Sequence, residues 1–432
     1  MRIEFVILAR FKKIKKVRVY KFGGASVKDA ESIKNVKTVL EQTGYDNLLV
    51  VISAMGKTTN ALEKVVSAYF QNPKTVVAAV EDVKQFHDTI LNNLFPERAH
   101  PIYKQVADLF AELNTFLKTN KSPKHSFVYD QVVCYGELLS TTIVSCFLNE
   151  NGVTNTWLDS RECIKTDSYY RDAKVDWKKT QERIQQNVNK DHLTVTQGFL
   201  GSNENNFTTT LGREGSDYTA GIFAYCLDAE CVTIWKDVPG VLNADPRVFQ
   251  KTQLLNQISY HEAIEMAFYG ASVIHPKTLQ PLQRKEIPLY VKSFINPLSD
   301  GTCVTKGHAI EPRISCYIVK KEQVLLSLSS LDFSFMMEDH IGEVFKLLHK
   351  YKMKVNMIQN SAISFSVCID NKYNKLEELV TQLKSTFKVR YNENATLYTV
   401  RHFNEKDVQL LENSAEVLVK QQSRETVQLV VK

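Results

Sequence analysis

Short apolar, β-rich runs alternate with stretches of helical period through the first two thirds of the chain, and few folds accommodate that rhythm. Residues 17–22 are rich in β formers and run into Gly23 and Gly24. Ile33, Val36, Val39 and Leu40 then share one helix face, and 47–52 is an apolar run of the kind that forms a strand buried on both sides. Ile102, Val106, Phe110, Leu113 and Leu117 mark a long amphipathic helix. Further strands are expected at 193–196, 232–235 and 289–291. Ser259 and Glu262 form a capping box for a helix that Gly270 closes. Strands interleaved with helices imply an α/β domain on a largely parallel sheet.

Near residue 300 the texture changes. Residues 296–301 read as a turn and 306–312 as a linker. Residues 324–329 then alternate as a strand, and Ile341, Val344, Phe345 and Leu348 define a helix stripe. Two strands follow at 355–358 and 363–369, and Leu376, Leu379, Val380 and Leu383 give a second helix. This β-α-β-β-α-β order is the ferredoxin-like unit. A strand at 396–401, a helix near 406–420 and a strand at 426–431 read as parts of a second unit. The expected organisation is an N-terminal extension (1–16), an α/β domain (17–298) and a C-terminal region (313–432) of two units, the second incomplete or interleaved.

Composition narrows the function. With 44 % hydrophobic and 24 % charged residues in 432, the chain can bury a sizeable core and is neither disordered nor collagen-like. The net charge of +6 is mild for this length. Its one dense basic cluster, Arg10, Lys12, Lys13, Lys15, Lys16 and Arg18, reads as a solvated lead-in, and no nucleic-acid partner is expected. No apolar run approaches the roughly 18 residues that span a bilayer, so no membrane is expected. Eight cysteines form no CxxC pair and no zinc spacing, which fits free thiols in a reducing compartment. The first residues lack the charge order of a secretory signal, and a cytoplasmic location is expected.

Several motifs carry chemistry. Lys21-Phe-Gly-Gly-Ala-Ser26 sits between a strand and a helix, where glycines let backbone N–H groups approach phosphate and a lysine spans it; a plain strand–helix turn has the same composition. Met55-Gly-Lys-Thr58 is not a P-loop, because position 51 is Val where that motif needs Gly. The stretch 209–219 (TTLGREGSDYT) combines small residues with Arg213, a fork for a carboxylate or phosphate, and with Asp217, which can hold a lysine or reach a metal. Ser216 there can cap a helix whose N-terminus faces an anion. Lys236, Asp237 and Arg247 follow a strand, the usual place for a nucleotide, although turns explain that segment equally. Glu137 opens an apolar helical run, either beside the helix dipole or facing a substrate ammonium. His275, before a proline, reads as a packed histidine.

Taken together, KFGGAS, VVISAMGKTTN, YGELLST, TTLGREGSDYTA, IWKDVPGVLNADPRV and YGASVIHPKTL, in this order and followed by paired ACT-type units, resemble the aspartate kinases. The resemblance runs from about residue 17 through almost the whole chain. It implies an amino-acid-kinase fold, a three-layer α/β/α sandwich of the carbamate-kinase-like kind, with C-terminal ferredoxin-like ACT units. It also implies transfer of the γ-phosphoryl of Mg-ATP (ATP and Mg2+) to the β-carboxylate of L-aspartate, giving 4-phospho-L-aspartate for lysine, threonine and methionine synthesis. Carried over by position, Lys21 would neutralise the transferring group and Asp217 would orient it. Phe22, Gly23, Gly24, Lys236, Asp237 and Arg247 would meet ATP. Ser53, Thr59, Glu137, Arg213 and Ser216 would hold aspartate, Glu137 at its ammonium and Arg213 at its α-carboxylate. No metal held by the protein alone is implied. ACT units that join sheet edges imply a homodimer, and an amino-acid effector is a further implied partner.

Some positions depart from the family pattern. Glu214 stands where many members have Gly, Ser272 where a lysine is usual, and Leu242 where a tyrosine is often found. In the first ACT unit, Asp339-His340-Ile341, Asn356 and Ala362 replace a pattern found in lysine-sensitive relatives, so lysine inhibition is not expected. Two alternatives are weighed. One is a kinase for another small carboxylate, such as glutamate, acetylglutamate or carbamate. The other is a catalytically weak amino-acid sensor on a kinase scaffold. A fused homoserine dehydrogenase is not expected, since no GxGxxG follows the ACT region.

Overall fold

The computed structural model describes residues 16–271, 274–332 and 334–432. The N-terminal extension to residue 15, with most of its basic cluster, and Ser272 lie outside the described residues. The chain forms two compact units, one of residues up to 241 with 256–260 and 274–308, the other of 242–255, 261–273 and 309–432. Two stretches from within the region read as the α/β domain thus pack with the C-terminal strands.

The first unit holds β1 (Arg18–Phe22), β2 (Leu48–Ile52), β3 (Thr156–Leu158), β4 (Thr194–Gln197), β5 (Leu200–Ser202), β6 (Thr208–Thr210), β7 (Cys231–Lys236), β8 (Gln257–Ser259), β9 (Leu289–Ser293) and β10 (Thr302–Thr305). Eight of them form one sheet in the order β3-β4-β2-β1-β7-β9-β10-β8, while β5 and β6 make a separate hairpin. Every pair in the large sheet is parallel except β9–β10. All five residues of β2 are buried, as its apolar run requires of a strand covered on both faces. On one face, Tyr20, Phe22, Leu48, Val50 and Ile52 pack with Ile33, Val36 and Leu40 of the helix Ala30–Thr43. Asp29 caps that helix through the Ser32 N–H. The helix Pro101–Thr119 buries Ile102, Val106, Phe110 and Leu113.

The helix His125–Glu150 differs from the reading that no apolar run is long enough to span a bilayer. It is long and apolar enough, with a mean hydropathy of 1.4 over its best 18-residue window, yet 78 % of that window is buried. Its hydrophobicity serves the core. All eight cysteines are free.

The second unit holds β11 (Cys316–Ser330), β12 (Lys354–Asn360), β13 (Ser364–Asp370), β14 (Phe387–Arg401), β15 (Val417–Gln422) and β16 (Thr426–Val431) in one sheet, ordered β12-β13-β11-β14-β16-β15. Two ferredoxin-like units share its two long central strands. The first uses the later half of β11, the helices Glu338–Lys350 and Leu376–Leu383, and the early half of β14. The second runs through the later half of β14, the helix Glu405–Ser414, β15 and β16, and borrows residues 316–320 of β11 as its fourth strand. A register shift between Lys320 and Leu325 marks the handover. The helix expected near 406–420 stops at Ser414, because Val417–Gln422 pairs with β16 instead.

Candidate functional site

The site gathers at the carboxyl ends of β1, β2 and β7, where loops of an open α/β sheet leave room for a ligand. Gly24 is set there by backbone crowding: a Cβ at this position would lie 2.8 Å from the Ala54 carbonyl oxygen and 2.9 Å from that of Gly56. The Gly24 carbonyl accepts the Gly56 N–H at 3.0 Å, which ties the loop after β1 to the loop after β2.

Lys21 is the penultimate residue of β1, and its Nζ lies 2.6 Å from Asp217 Oδ1. Lys236, the last residue of β7, brings its Nζ to 3.9 Å from Asp217 Oδ2. Asp217 sits in the first turn of the helix Gly215–Leu227. Burial opposes its charge, but the ammonium groups of Lys21 and Lys236 outweigh this and hold the carboxyl below its usual range. Two lysines on neighbouring strands and one carboxylate between them make a fixed cationic end to the sheet.

Glu137 enters from the helix His125–Glu150, which passes close to the β2 loop at Gly136; a Cβ there would lie 3.0 Å from that of Ala54. Glu137 Oε1 accepts the Ala54 N–H at 3.3 Å, while Oε2 is buried with no hydrogen-bond partner among the described residues. Burial pushes this carboxyl up to about 8, against the pull of the Ala54 N–H and the charge of Lys21. Ser140, one turn on, donates to the Ser53 carbonyl at 2.8 Å.

The remaining expected residues fall as follows. Thr59 is half-buried in the first turn of the helix Thr58–Gln71. Ser216 is buried behind Gly198, where any Cβ would collide with it at 2.5 Å. Arg213 is exposed and has no ion pair among the described residues. Phe22 is fully buried and stacks on Trp235 with centroids 6.0 Å apart, so only its backbone can meet a nucleotide. Asp237 is exposed just past β7. Arg247 and Leu242 belong to the second unit, where the Arg247 guanidinium is taken up by Asp245. Glu214 adopts φ 54°, a left-handed conformation that explains why glycine suits this position. His275 accepts the Lys277 N–H as a helix cap, consistent with a packed histidine.

The sequence reading missed Asp130. It lies seven residues before Glu137 on the same helix and is fully buried. Its carboxylate accepts the Thr210 N–H at 2.9 Å, the Thr210 hydroxyl at 2.8 Å and the Arg171 N–H at 3.0 Å. Burial outweighs these bonds and raises the carboxyl to about 6. Asp130 therefore anchors the end of β6, from which the chain runs through Arg213 into the helix that carries Asp217. An acid inside an apolar helix was the available signal.

One cluster outside this site has metal-ligand residue types: His100, Cys146 and Glu150, with ligand atoms within 4.8 Å of one another. His100 Nδ1 already accepts the Ile102 N–H at 3.1 Å. The proton must then sit on Nε2, which faces Glu150, so the ring has no lone pair for a metal.

A parallel sheet that presents paired lysines, a bridging aspartate and crowded glycines to a ligand is the equipment of a phosphoryl-transfer enzyme. The family model of the Amino acid kinase family matches residues 16–293. The lysine-sensitive aspartokinase 3 of Escherichia coli (strain K12) is 33 % identical over 358 residues, covering 82 % of this chain and 78 % of that protein. Aspartokinase III of Escherichia coli, solved in complex with lysine and aspartate (T-state), superposes with a TM-score of 0.82 at 28 % identity over 96 % of each chain. The same enzyme in complex with aspartate and ADP (R-state) gives 0.79 at 27 % identity, again over 96 % of each. The chain belongs to the amino acid kinase family, and within it to the aspartokinases. Its fold is the α/β/α sandwich of that family followed by ACT-like units.

Proposed function

We propose that the chain transfers the γ-phosphoryl of ATP to the β-carboxylate of L-aspartate, giving 4-phospho-L-aspartate for lysine, threonine and methionine synthesis. The observation that carries this reading is the buried Glu137, which feels the charge of Lys21 and whose Oε2 has no hydrogen-bond partner among the described residues. An acceptor bearing an ammonium group completes it; an N-acylated acceptor does not.

The acceptor carboxylate is already a nucleophile, so the site needs positioning and charge neutralisation rather than a base. Lys21 meets the transferring phosphoryl group, and Asp217 holds its ammonium in place. The backbone N–H groups of Gly23 and Gly24 approach the phosphates, with Lys236 and Asp237 at the end of β7 beside them. Arg213 takes the α-carboxylate of aspartate as a bidentate fork, and Ser53, Thr59 and Ser216 line the acceptor. Both Asp217 oxygens face ammonium groups, so Mg2+ enters on the phosphates of Mg-ATP rather than in a protein cage.

The C-terminal sheet supports a homodimer, since β12 and β15 are its edges and offer unpaired backbone to a second copy, and the lysine bound by the related aspartokinase III supports an amino-acid effector. The test of the reaction is a hydroxylamine trap with Mg-ATP and L-aspartate, glutamate or N-acetylglutamate. Aspartyl hydroxamate from aspartate alone is expected; folded protein that yields none, or yields as much from N-acetylglutamate, refutes the reading.

A further inference from the structure

The face of the large sheet turned away from Lys21 holds a cavity that phosphoryl transfer does not use. Side chains alternate along a strand, so Tyr20 and Trp235 point away from the face that carries Lys21 and Lys236. The register places Tyr20, Thr233 and Tyr290 in one row across β1, β7 and β9, with Trp235 and Lys292 in the next. Together with Asp300 of the β9–β10 loop they line a cavity of about 560 Å³, within the usual size of small-molecule sites.

Two charged groups in it, Lys292 and Asp300, make no ion pair among the described residues. Beneath them Trp235 is 1 % exposed, and its indole N–H has no acceptor among the described residues. Lys292 places its ammonium 5.9 Å from the centre of the Trp235 ring, and Asp300 is exposed at the rim. Arg18, by contrast, is committed to the carbonyls of Thr43 and Gly44. The loop bearing Asp300 is fixed by Gly301, at φ +71°, where a Cβ would lie 2.2 Å from the Val291 carbonyl oxygen. One anion acceptor, one cation acceptor and an aromatic floor are therefore presented by rigid backbone.

We propose that this cavity is a second small-molecule site, for a free amino acid with a flat aromatic side chain. Its carboxylate meets Lys292, its ammonium meets Asp300, and its ring lies over the row of Tyr290 and Thr233 above the buried Trp235. Trp235 directly precedes Lys236, and it stacks on Phe22, which directly follows Lys21. A ligand seated on Trp235 thus bears on the two strands that supply both lysines.

The protein has three tryptophans, so a Trp157→Phe/Trp177→Phe variant reports Trp235 alone. Titration with L-phenylalanine should change its fluorescence saturably, with a Kd below about 1 mM. The probes 3-phenylpropionate, without the ammonium, and phenethylamine, without the carboxylate, should each bind about tenfold weaker or less well still. Calorimetry on the unmodified chain should give the same Kd, and Lys292→Met and Asp300→Asn should each weaken it by about tenfold. No saturable signal by either method overturns the proposal. So does equal binding of the three probes, or an unchanged Kd in both single variants of normal thermal stability. These readouts need no turnover, so their failure leaves the aspartate kinase reading standing, and a failed hydroxylamine trap leaves this site standing.

Discussion

Glu137 in the first unit and Glu262 in the second are buried to nearly the same degree, at 2 % and 5 % exposure, yet their acidities diverge. Burial raises Glu137 to about 8 because one of its oxygens meets only a backbone N–H and the other has no partner among the described residues. Burial also acts on Glu262, but the Arg401 guanidinium grips both oxygens at 2.7 Å, His402 stands 3.0 Å away, and the carboxyl falls to about 2. The chain supplies the counter-charge for Glu262 and none for the free oxygen of Glu137 among the described residues, which is the oxygen that the proposed reading gives to the substrate ammonium. Two similarly buried glutamates thus differ in acidity by what faces them, a guanidinium for Glu262 and a single backbone N–H for Glu137.

The largest test breaks the cationic side of the first region. Lys21→Ala should lower kcat by about 1,000-fold or more, as loss of a charge at the transferring group does, while circular dichroism stays native. Near-normal turnover would remove Lys21 from that role. In the second region, Arg401→Met strands the Glu262 charge and should cost about 3–5 kcal/mol of stability in urea unfolding. A change below about 1 kcal/mol would make the pair incidental.

The contrast also predicts opposite pH slopes. Glu262 has a depressed pKa, so its contribution to stability is present above pH 4.5 and lost as pH falls toward about 2. Glu137 has a raised pKa, so the folded state is favoured below pH 4.5 and loses ground as pH climbs to about 8. Glu137→Gln should remove the part of that decline between about pH 6 and 8, below which Asp130, raised to about 6, also contributes; an unaltered decline there would place its cause elsewhere. The smallest effect belongs to Glu214→Gly. Relief of the left-handed strain at φ 54° is partly offset by a freer unfolded chain, so stability should change by less than about 1 kcal/mol. Removal of the negative charge should lower KM for ATP a few-fold, and a raised KM would contradict the electrostatic reading.

Much of the fold was legible because its signals are local. The apolar period of Ile33, Val36, Val39 and Leu40, and the apolar run now seen as β2, each force one solution. What escaped depends on distant partners. β15 is a strand because β16 lies beside it, and the β5–β6 hairpin is three residues a side, too short for a periodic pattern. At the site, Lys21, Glu137 and Asp217 were readable from motifs, and the structure brings the lysine and aspartate together at 2.6 Å. Asp130 was not, since its partners Thr210 and Arg171 are far along the chain. Glu262 looked like a helix-capping residue in sequence; its hold on Arg401, 139 positions away, emerges only from packing.

The most direct measurement of the account is the affinity of L-aspartate for the unmodified protein and for Glu137→Gln, taken calorimetrically from below pH 7 to above pH 8. Glu137 must be ionised to receive the substrate ammonium, so binding to the unmodified protein should tighten as pH rises toward about 8 and then level, while binding to the variant is weak and flat. Parallel pH profiles for the two proteins would show that Glu137 does not hold the ammonium, and the central claim would fall.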